Sequence, residues 1–242
     1  MEAVIEAVVT CLAFLFIFLI LVLPFAAYFR DKKLYQQTSY YRITNNPYNY
    51  VRYNKGAAGE YRIFAALGEY EQSGGKLLFN IYLPRGDAKT TEIDLVLITR
   101  KGLFVFESKN FDGWIFGNEA HQNWTQSLPN RRGGSYKNSF YNPVKQNAAH
   151  IRHIRQITGY DIPVHSIIVF SDHCTLKKVT LHSYDVRVIN LRNLTQVMGE
   201  LIGQAPDCLS EDAVSGIYNT LLPYANADHS LRRAHVGAIR KV

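Results

Sequence analysis

The hydrophobic pattern opens on an unbroken apolar run. Residues 7–29 contain no charged side chain and centre on LAFLFIFLILVLPF. No polar face interrupts the run, which argues against an amphipathic helix packed on a core. As a helix, 23 residues reach across a bilayer core of ~30 Å. A cleaved leader would have a basic start, a shorter apolar stretch and a small-x-small cleavage site. Here Glu2 and Glu6 precede the run, and Ala26-Ala27 is followed by Tyr28 and Phe29. The expectation is one retained transmembrane helix within residues 1–30, with Pro24 tolerable near its end. Arg30, Lys32 and Lys33 flank the carboxyl end and nothing basic flanks the amino end, so the remainder is expected to face the cytoplasm.

Residues 35–53 (YQQTSYYRITNNPYNYVRY) are polar and tyrosine-rich with little periodicity. They read as a juxtamembrane linker, residues 31–54, partly packed on the following domain; an aromatic strip contacting an interface or nucleic acid is the alternative. A helix pattern then runs from Lys55 to about Glu71, with Glu60, Ile63, Phe64 and Leu67 on one stripe. A carboxylate on an otherwise apolar stripe is unusual, because burying an unpaired charge is costly. Three short β-branched or aromatic runs follow, at residues 76–83, 91–99 and 103–110, separated by Pro84-Arg85-Gly86-Asp87 and Arg100-Lys101-Gly102. Residues 114–117 and 122–125 read as a small hairpin, and 128–139 as a basic, glycine-containing loop. Asn142-Pro143 is a helix start, opening a helix over 144–158 with a Val144, Ala148, Ile151 stripe. Strands are expected at 164–170 and 186–190, and helices near 194–202 and 213–221. A basic tail, residues 223–242, carries Arg232, Arg233, Arg240 and Lys241. The order predicts an α/β domain over 55–222: helix, three-strand meander, helix, strand.

Composition narrows the function. All 27 Lys and Arg lie from Arg30 onward with 18 of the 20 acids, so the part after the apolar run carries 27 − 18 = +9 against +7 for the whole 242-residue chain. Such a domain favours polyanions or anionic lipid surfaces. Three cysteines exclude a disulfide framework. With Cys11 in the apolar run, Cys174 and Cys208 are too few for a zinc site by themselves. A charged fraction of 19% with 13% aromatics excludes a disordered chain.

The candidate chemistry lies in the meander. Strand alternation puts Val105, Glu107 and Lys109 on one face, and Glu92, Asp94 and Val96 on one face of the strand before. Antiparallel pairing then brings Asp94 beside Glu107 and Lys109. Hard oxygens from Asp94, Glu107 and the Ser108 carbonyl suit magnesium (or manganese), which stabilises phosphate charge and acidifies water. Lys109 would orient or help deprotonate the attacking water and offset developing negative charge. Glu60 would serve a second cation or its water shell. The plainer alternative is an exposed Glu107–Lys109 pair on a solvated sheet face, with Glu60 a helix-start acid. His150 and His153 are one turn apart without an evident third ligand and read as solvated helix residues; His173-Cys174 reads as a loop detail. Arg131, Arg132 and Lys137 beside Tyr136, Phe140 and Tyr141, with Lys145 beyond, mix cations and aromatics as single-strand binding surfaces do. Charge solvating a long loop is the alternative there.

Four blocks in order carry a resemblance. They are Gly59-Glu60, Glu92-Ile93-Asp94-Leu95-Val96-Leu97, Gly102 through Lys109-Asn110 (GLFVFESKN), and Asn142-Pro143-Val144-Lys145-Gln146-Asn147. With Gly113-Trp114-Ile115 and Trp124 they resemble the NERD (nuclease-related) domain, a branch of the PD-(D/E)XK nuclease-like superfamily, over roughly residues 55–170. The resemblance implies a restriction-endonuclease-like core, with Asp94, Glu107 and Lys109 catalytic, Glu60 an auxiliary acid and Gln146 a helix residue facing the site. It also implies Mg2+ or Mn2+ as cofactor and nucleic acid as partner, DNA ahead of RNA. Leu95 departs from the polar residue, often His, expected after the aspartate. The kinase, helicase and cysteine-rich zinc modules that accompany some relatives are lacking. Two functions compete: a membrane-anchored, metal-dependent nuclease on the cytoplasmic side, and a non-catalytic membrane tether for nucleic acid or protein. Retention of both acids and the lysine argues for the first, since acids oppose mere phosphate binding.

Overall fold

The computed structural model describes residues 1–85, 89–130, 133–159 and 161–225. The Pro84-Arg85-Gly86-Asp87 turn reading falls partly, and Arg131, Arg132 and the tail beyond Ala225 wholly, outside them. The chain divides into two compact units, Met1–Tyr48 and the part from Asn49 onward.

In the first unit, α1 (Glu2–Ile17) continues through a π-helical turn (Phe18–Val22) into α2 (Leu23–Gln36). Together they form one 35-residue helix, long and apolar enough to cross a membrane. The π turn immediately precedes Pro24, which lacks an N–H and crowds the carbonyl one turn back, so a widened turn is accommodated there. Beyond it, the stretch expected to be a linker is ordered. Thr38 Oγ1 accepts the Tyr41 N–H and caps α3 (Ser39–Thr44), and α4 (Tyr48–Tyr53) follows. Tyr35 and Tyr40 are buried; the Tyr35 ring lies 5.4 and 5.5 Å from those of Tyr41 and Tyr48. Tyrosine hides this core from a periodicity search, because its ring is apolar and its hydroxyl polar.

The second unit is mixed α/β. Asn54 accepts the Ala57 N–H and starts α5 (Lys55–Ala66). The helix breaks at Leu67, and α6 (Gly68–Gln72) leads to the meander of β1 (Lys76–Arg85), β2 (Lys89–Thr99) and β3 (Gly102–Lys109). After β4 (Gly113–Asn118), β5 (Asn123–Pro129) and β6 (Ser135–Tyr141), α7 (Pro143–Thr158) crosses to β7 (Val164–Phe170). Then come β8 (Cys174–Thr180), β9 (Val186–Asn190), α8 (Leu194–Gln204) and α9 (Glu211–Ala225). One sheet has the order β1-β2-β3-β7-β9, antiparallel through β3 and parallel beyond it; the other is β6-β5-β4-β8.

Three expectations change. Residues 128–139 are mostly the arms of a hairpin rather than a loop: Leu128 pairs Tyr136, and Trp124 pairs Phe140, with Trp124 and Phe140 packed inward against Phe170. Strand β8 gave no signal, because Lys177-Lys178 interrupts its alternation where the register with β4 shifts. Helix α9 runs through Pro223 to Ala225, past residue 222, where the domain was expected to end.

Strand β3 is buried on both faces. Its residues from Gly102 to Glu107 are all inaccessible. On one face Gly59 of α5 comes so close that an added Cβ would stand 2.8 Å from Ser108 Oγ. On the other, Asn147 of α7 donates to the Val105 carbonyl (2.8 Å) and Ser166 Oγ (2.9 Å). This double clamp holds the carboxyl end of β3, where Glu107 and Lys109 emerge.

Candidate active site

The β2–β3 ladder runs from Thr99↔Gly102 to Leu95↔Phe106 and stops. The next residues outward, Asp94 and Glu107, therefore stand beside each other past the last rung. Asp94 Oδ2 instead accepts the Ser108 N–H at 2.7 Å, which ties the carboxylate to the strand opposite. Lys109, two residues on from Glu107 and on its face, donates from Nζ to Glu107 Oε1 (2.6 Å) and to Gln146 Oε1 of α7 (3.1 Å). Asn142 aims that helix: Oδ1 accepts the Val144 N–H, while Nδ2 donates to the carbonyls of Asn118, Glu119 and His121.

Glu107 is only 2% exposed, so it is not half of a pair on a solvated face. Glu60, in α5, acts electrostatically on Asp94. Thus Asp94, Glu107, Lys109, Gln146 and Glu60 belong to one neighbourhood. Lys137 lies on β6 of the other sheet, and Lys145 in the first turn of α7. Leu95 faces away from Asp94 and is wholly buried between its ladder partners Phe79 and Phe106, so the departure from a polar residue leaves the carboxylates untouched.

His150 was expected to be solvated and is not. It is buried, with Nε2 3.4 Å from Glu107 Oε2 and Nδ1 3.2 Å from Thr91 Oγ1. The first contact is close enough for attraction but is not aligned as a hydrogen bond. Its spacing, one turn after Gln146, is the signal that could have placed it on the site-facing stripe. Arg62 carries no sequence motif that marks it. It stands one turn after Gly59 and shares a narrow crevice with Ser108, Lys109 and Asn110. A much larger cavity, about 480 Å3, lies at the other end of β3, where Arg100 and Lys101 already pair with Asp207.

The electrostatics are lopsided. Burial, then Glu107 and then Glu60, push the Asp94 carboxyl well above the usual carboxylate range. Burial also disfavours the charged Glu107, but Lys109 and His150 outweigh it and its pKa falls. For Lys109, burial is outweighed by Glu107 and Asp94, so its ammonium is held more firmly than usual.

A divalent cation fits this cluster. The donors are hard oxygens; Glu107 Oε2 is buried without a hydrogen bond, and the repulsion that raises Asp94 is what a cation between the acids would relieve. Among the described residues no three His, Cys, Asp or Glu side chains group around one metal position, so Asp94 and Glu107 would need the Ser108 carbonyl or water to complete a shell.

One consequence concerns stability. Because the Asp94 pKa is raised on folding, its contribution is present at low pH and lost as pH rises through the folded value. Asp94→Asn is therefore expected to raise the metal-free melting temperature at neutral pH while abolishing stabilisation by millimolar Mg2+ or Mn2+. Thermal melts of both proteins with and without metal check this; equal metal shifts would remove Asp94 from the candidate ligands.

Comparison with known proteins agrees with this geometry. The nuclease-related domain family, NERD, matches residues 55–171, a span that includes α5, the meander, the second-sheet hairpins, α7 and β7. An uncharacterized protein of Bacillus anthracis is 33% identical over 184 residues, covering 75% of this chain and 82% of that one. No solved structure matches.

Proposed function

Because the chain belongs to the NERD, nuclease-related domain, family, we propose that it is a divalent-metal-dependent phosphodiesterase acting on nucleic acid. On this reading the Glu2–Gln36 helix anchors it in a membrane, with the second unit on the cytoplasmic side. The observation that carries the proposal is the crowding of Asp94, Glu107 and Lys109 past the last rung of the β2–β3 ladder. A surface that only bound phosphate would gain nothing from two acids held there, since they repel the ligand.

Asp94, Glu107 and the Ser108 carbonyl would hold Mg2+ or Mn2+, which when bound supplies charge stabilisation at the phosphate and a more acidic water. The remaining work falls to the chain. Lys109 serves as donor and fixed charge: it orients the attacking water and faces the charge that develops on the phosphoryl oxygens. Gln146 holds Lys109 in that rotamer. His150, 3.4 Å from the far oxygen of Glu107, packs behind that carboxylate and acts as a positioning residue. Arg62, at the crevice beside Lys109, offers a planar donor pair to a neighbouring phosphate. Glu60 deepens the negative field that draws cations to Asp94.

The test is incubation of the full chain in detergent with end-labelled DNA and RNA, single- and double-stranded, with Mg2+, Mn2+ or chelator. Metal-dependent cleavage, DNA ahead of RNA, is expected. Tight binding without cleavage under every metal would hand the function to the tethering alternative. For orientation, a reporter fused after Val242 should register as cytoplasmic in intact cells, given Arg30, Lys32 and Lys33 beside the apolar run. Exposure of that end outside the membrane would overturn the assignment.

A further inference from the structure

The second sheet has one face in the core and one in solvent. Inward go Ile115, Trp124 and Phe140, which join Phe170 in a shared cluster. Alternation sends Trp114, Phe116, Lys137 and Tyr141 the other way, and Trp114, Phe116 and Tyr141 remain 51%, 36% and 49% exposed. Three large rings left in water on one sheet face are more than scattered surface hydrophobics require. The charge there is also one-sided: β4, β5, β6 and β8 contain Lys137, Lys177 and Lys178 and no Asp or Glu. Lys178 pairs with Phe116 in the ladder. At the β8 register shift Lys177 turns its ammonium over the Trp114 ring, 4.9 Å from the centroid. A cavity of about 260 Å3 opens beside Trp114, lined by Ser127, His173 and Thr175 among others; it is below the size that drug-sized ligands use and suits a single planar ring.

We propose that this outward face is a stacking platform for single-stranded nucleic acid, with Trp114 as the principal base contact and Lys137, Lys177 and Lys178 as phosphate contacts. Rings on a pleated surface with cations between them match a strand whose bases and phosphates alternate, and stacking tolerates any sequence because every base has a π-face. A base arriving on Trp114 displaces the Lys177 ammonium, which then has a phosphate within reach. The platform is tied to the cluster through the chain: Trp114 is five residues from Lys109, so their Cα atoms are at most about 18 Å apart. That separation is the length of a few nucleotides of single strand. The inference rests on the reading of the chain as acting on nucleic acid, and makes single-stranded segments its substrate.

The test uses the full chain in detergent with chelator present, so that no cleavage intervenes. Trp124 is 1% exposed and Trp114 is not, so tryptophan quenching on adding an oligothymidylate reports Trp114. Trp114→Ala should weaken binding by about tenfold or more, the size expected for one stacked base, and Trp114→Phe should keep most of the affinity. An abasic oligonucleotide of equal length should bind weakly and be indifferent to Trp114→Ala. Replacing Lys177 and Lys178 with alanine should flatten the slope of log affinity against log salt by roughly 1.4, at ~0.7 per lost single-strand phosphate contact. Wild-type affinity in Trp114→Ala, or equal binding of abasic and normal strands, would overturn the platform. If Trp114→Ala instead turns a self-associated chain into monomers with nucleic-acid affinity unchanged, the face is a contact between copies and the proposal fails. The two readings fail separately: a chain that binds through Trp114 and never cleaves loses only the nuclease assignment, and one that cleaves but binds without Trp114 loses only the platform.

Discussion

Lys109→Ala should lose roughly 10²-fold or more in single-turnover cleavage, the scale of one lost contact to developing charge. Metal binding should persist, because an ammonium is not a ligand and both carboxylates remain. Affinity for nucleic acid should fall only slightly, one cation among several having gone. The pH profile should change as well. Lys109 is the leading influence holding Glu107 down against burial, from 2.6 Å away. Without it the Glu107 pKa rises, and the acidic limb of residual activity moves to higher pH. Rates and affinities for wild type and variant across pH, at matched salt, check all three expectations. A variant that cleaves at the wild-type rate would return Lys109 to an ordinary ion-pair role.

Glu107→Gln should remove metal binding and cleavage together and also destabilise the metal-free protein. Glu107 is 2% exposed and Lys109 17%, so replacing the carboxylate leaves a mostly buried ammonium facing an amide. Breaking a buried pair in this way costs on the order of 3 kcal/mol, or roughly 10 °C in melting temperature for a chain of this size. The lowered Glu107 pKa gives stability that is present above the ordinary carboxylate range and lost as pH falls through the folded value. Asp94→Asn is expected to shift the metal-free melting temperature the opposite way, since it removes a repelling acid. Two isosteric changes in neighbouring acids with opposite signs would distinguish this electrostatic arrangement from general fragility. Melts in chelator at neutral pH read it directly; shifts of the same sign would contradict it.

The elements that frame the cluster were legible because they follow simple periods. The three meander strands alternate or run apolar between short turns, and Arg100-Lys101-Gly102 is too short a link to allow much choice of register, so Asp94 could be set beside Glu107 from parity alone. The Asn142-Pro143 helix start follows from side-chain chemistry, and the structure shows the cap. What was hidden is hidden for identifiable reasons. Strand β6, SYKNSFY, has an outward face as polar as a loop, and only its pairing with Trp124 and Leu128 discloses it. Lys177-Lys178 masks β8. The tyrosine core of residues 35–48 lacks the period that a helix search uses. His150 reads as solvated because histidine is polar; its spacing from Gln146 marks the site-facing stripe, but its partner Glu107 lies 43 positions earlier in the chain, beyond any local pattern. The outward rings of the second sheet became visible only once the hairpin was seen to be a sheet.

On the proposed function, Asp94 and Glu107 hold a cation that makes phosphodiester cleavage possible beside Lys109. The deciding measurement is the single-turnover cleavage rate of an end-labelled oligonucleotide as a function of Mn2+ concentration, for the full-length wild type and Asp94→Asn side by side. The expected result is a wild-type rate that is nil in chelator and saturates with metal, and an Asp94→Asn rate that stays at background throughout. Cleavage that persists in chelator, or an Asp94→Asn curve that overlays the wild type, would contradict it.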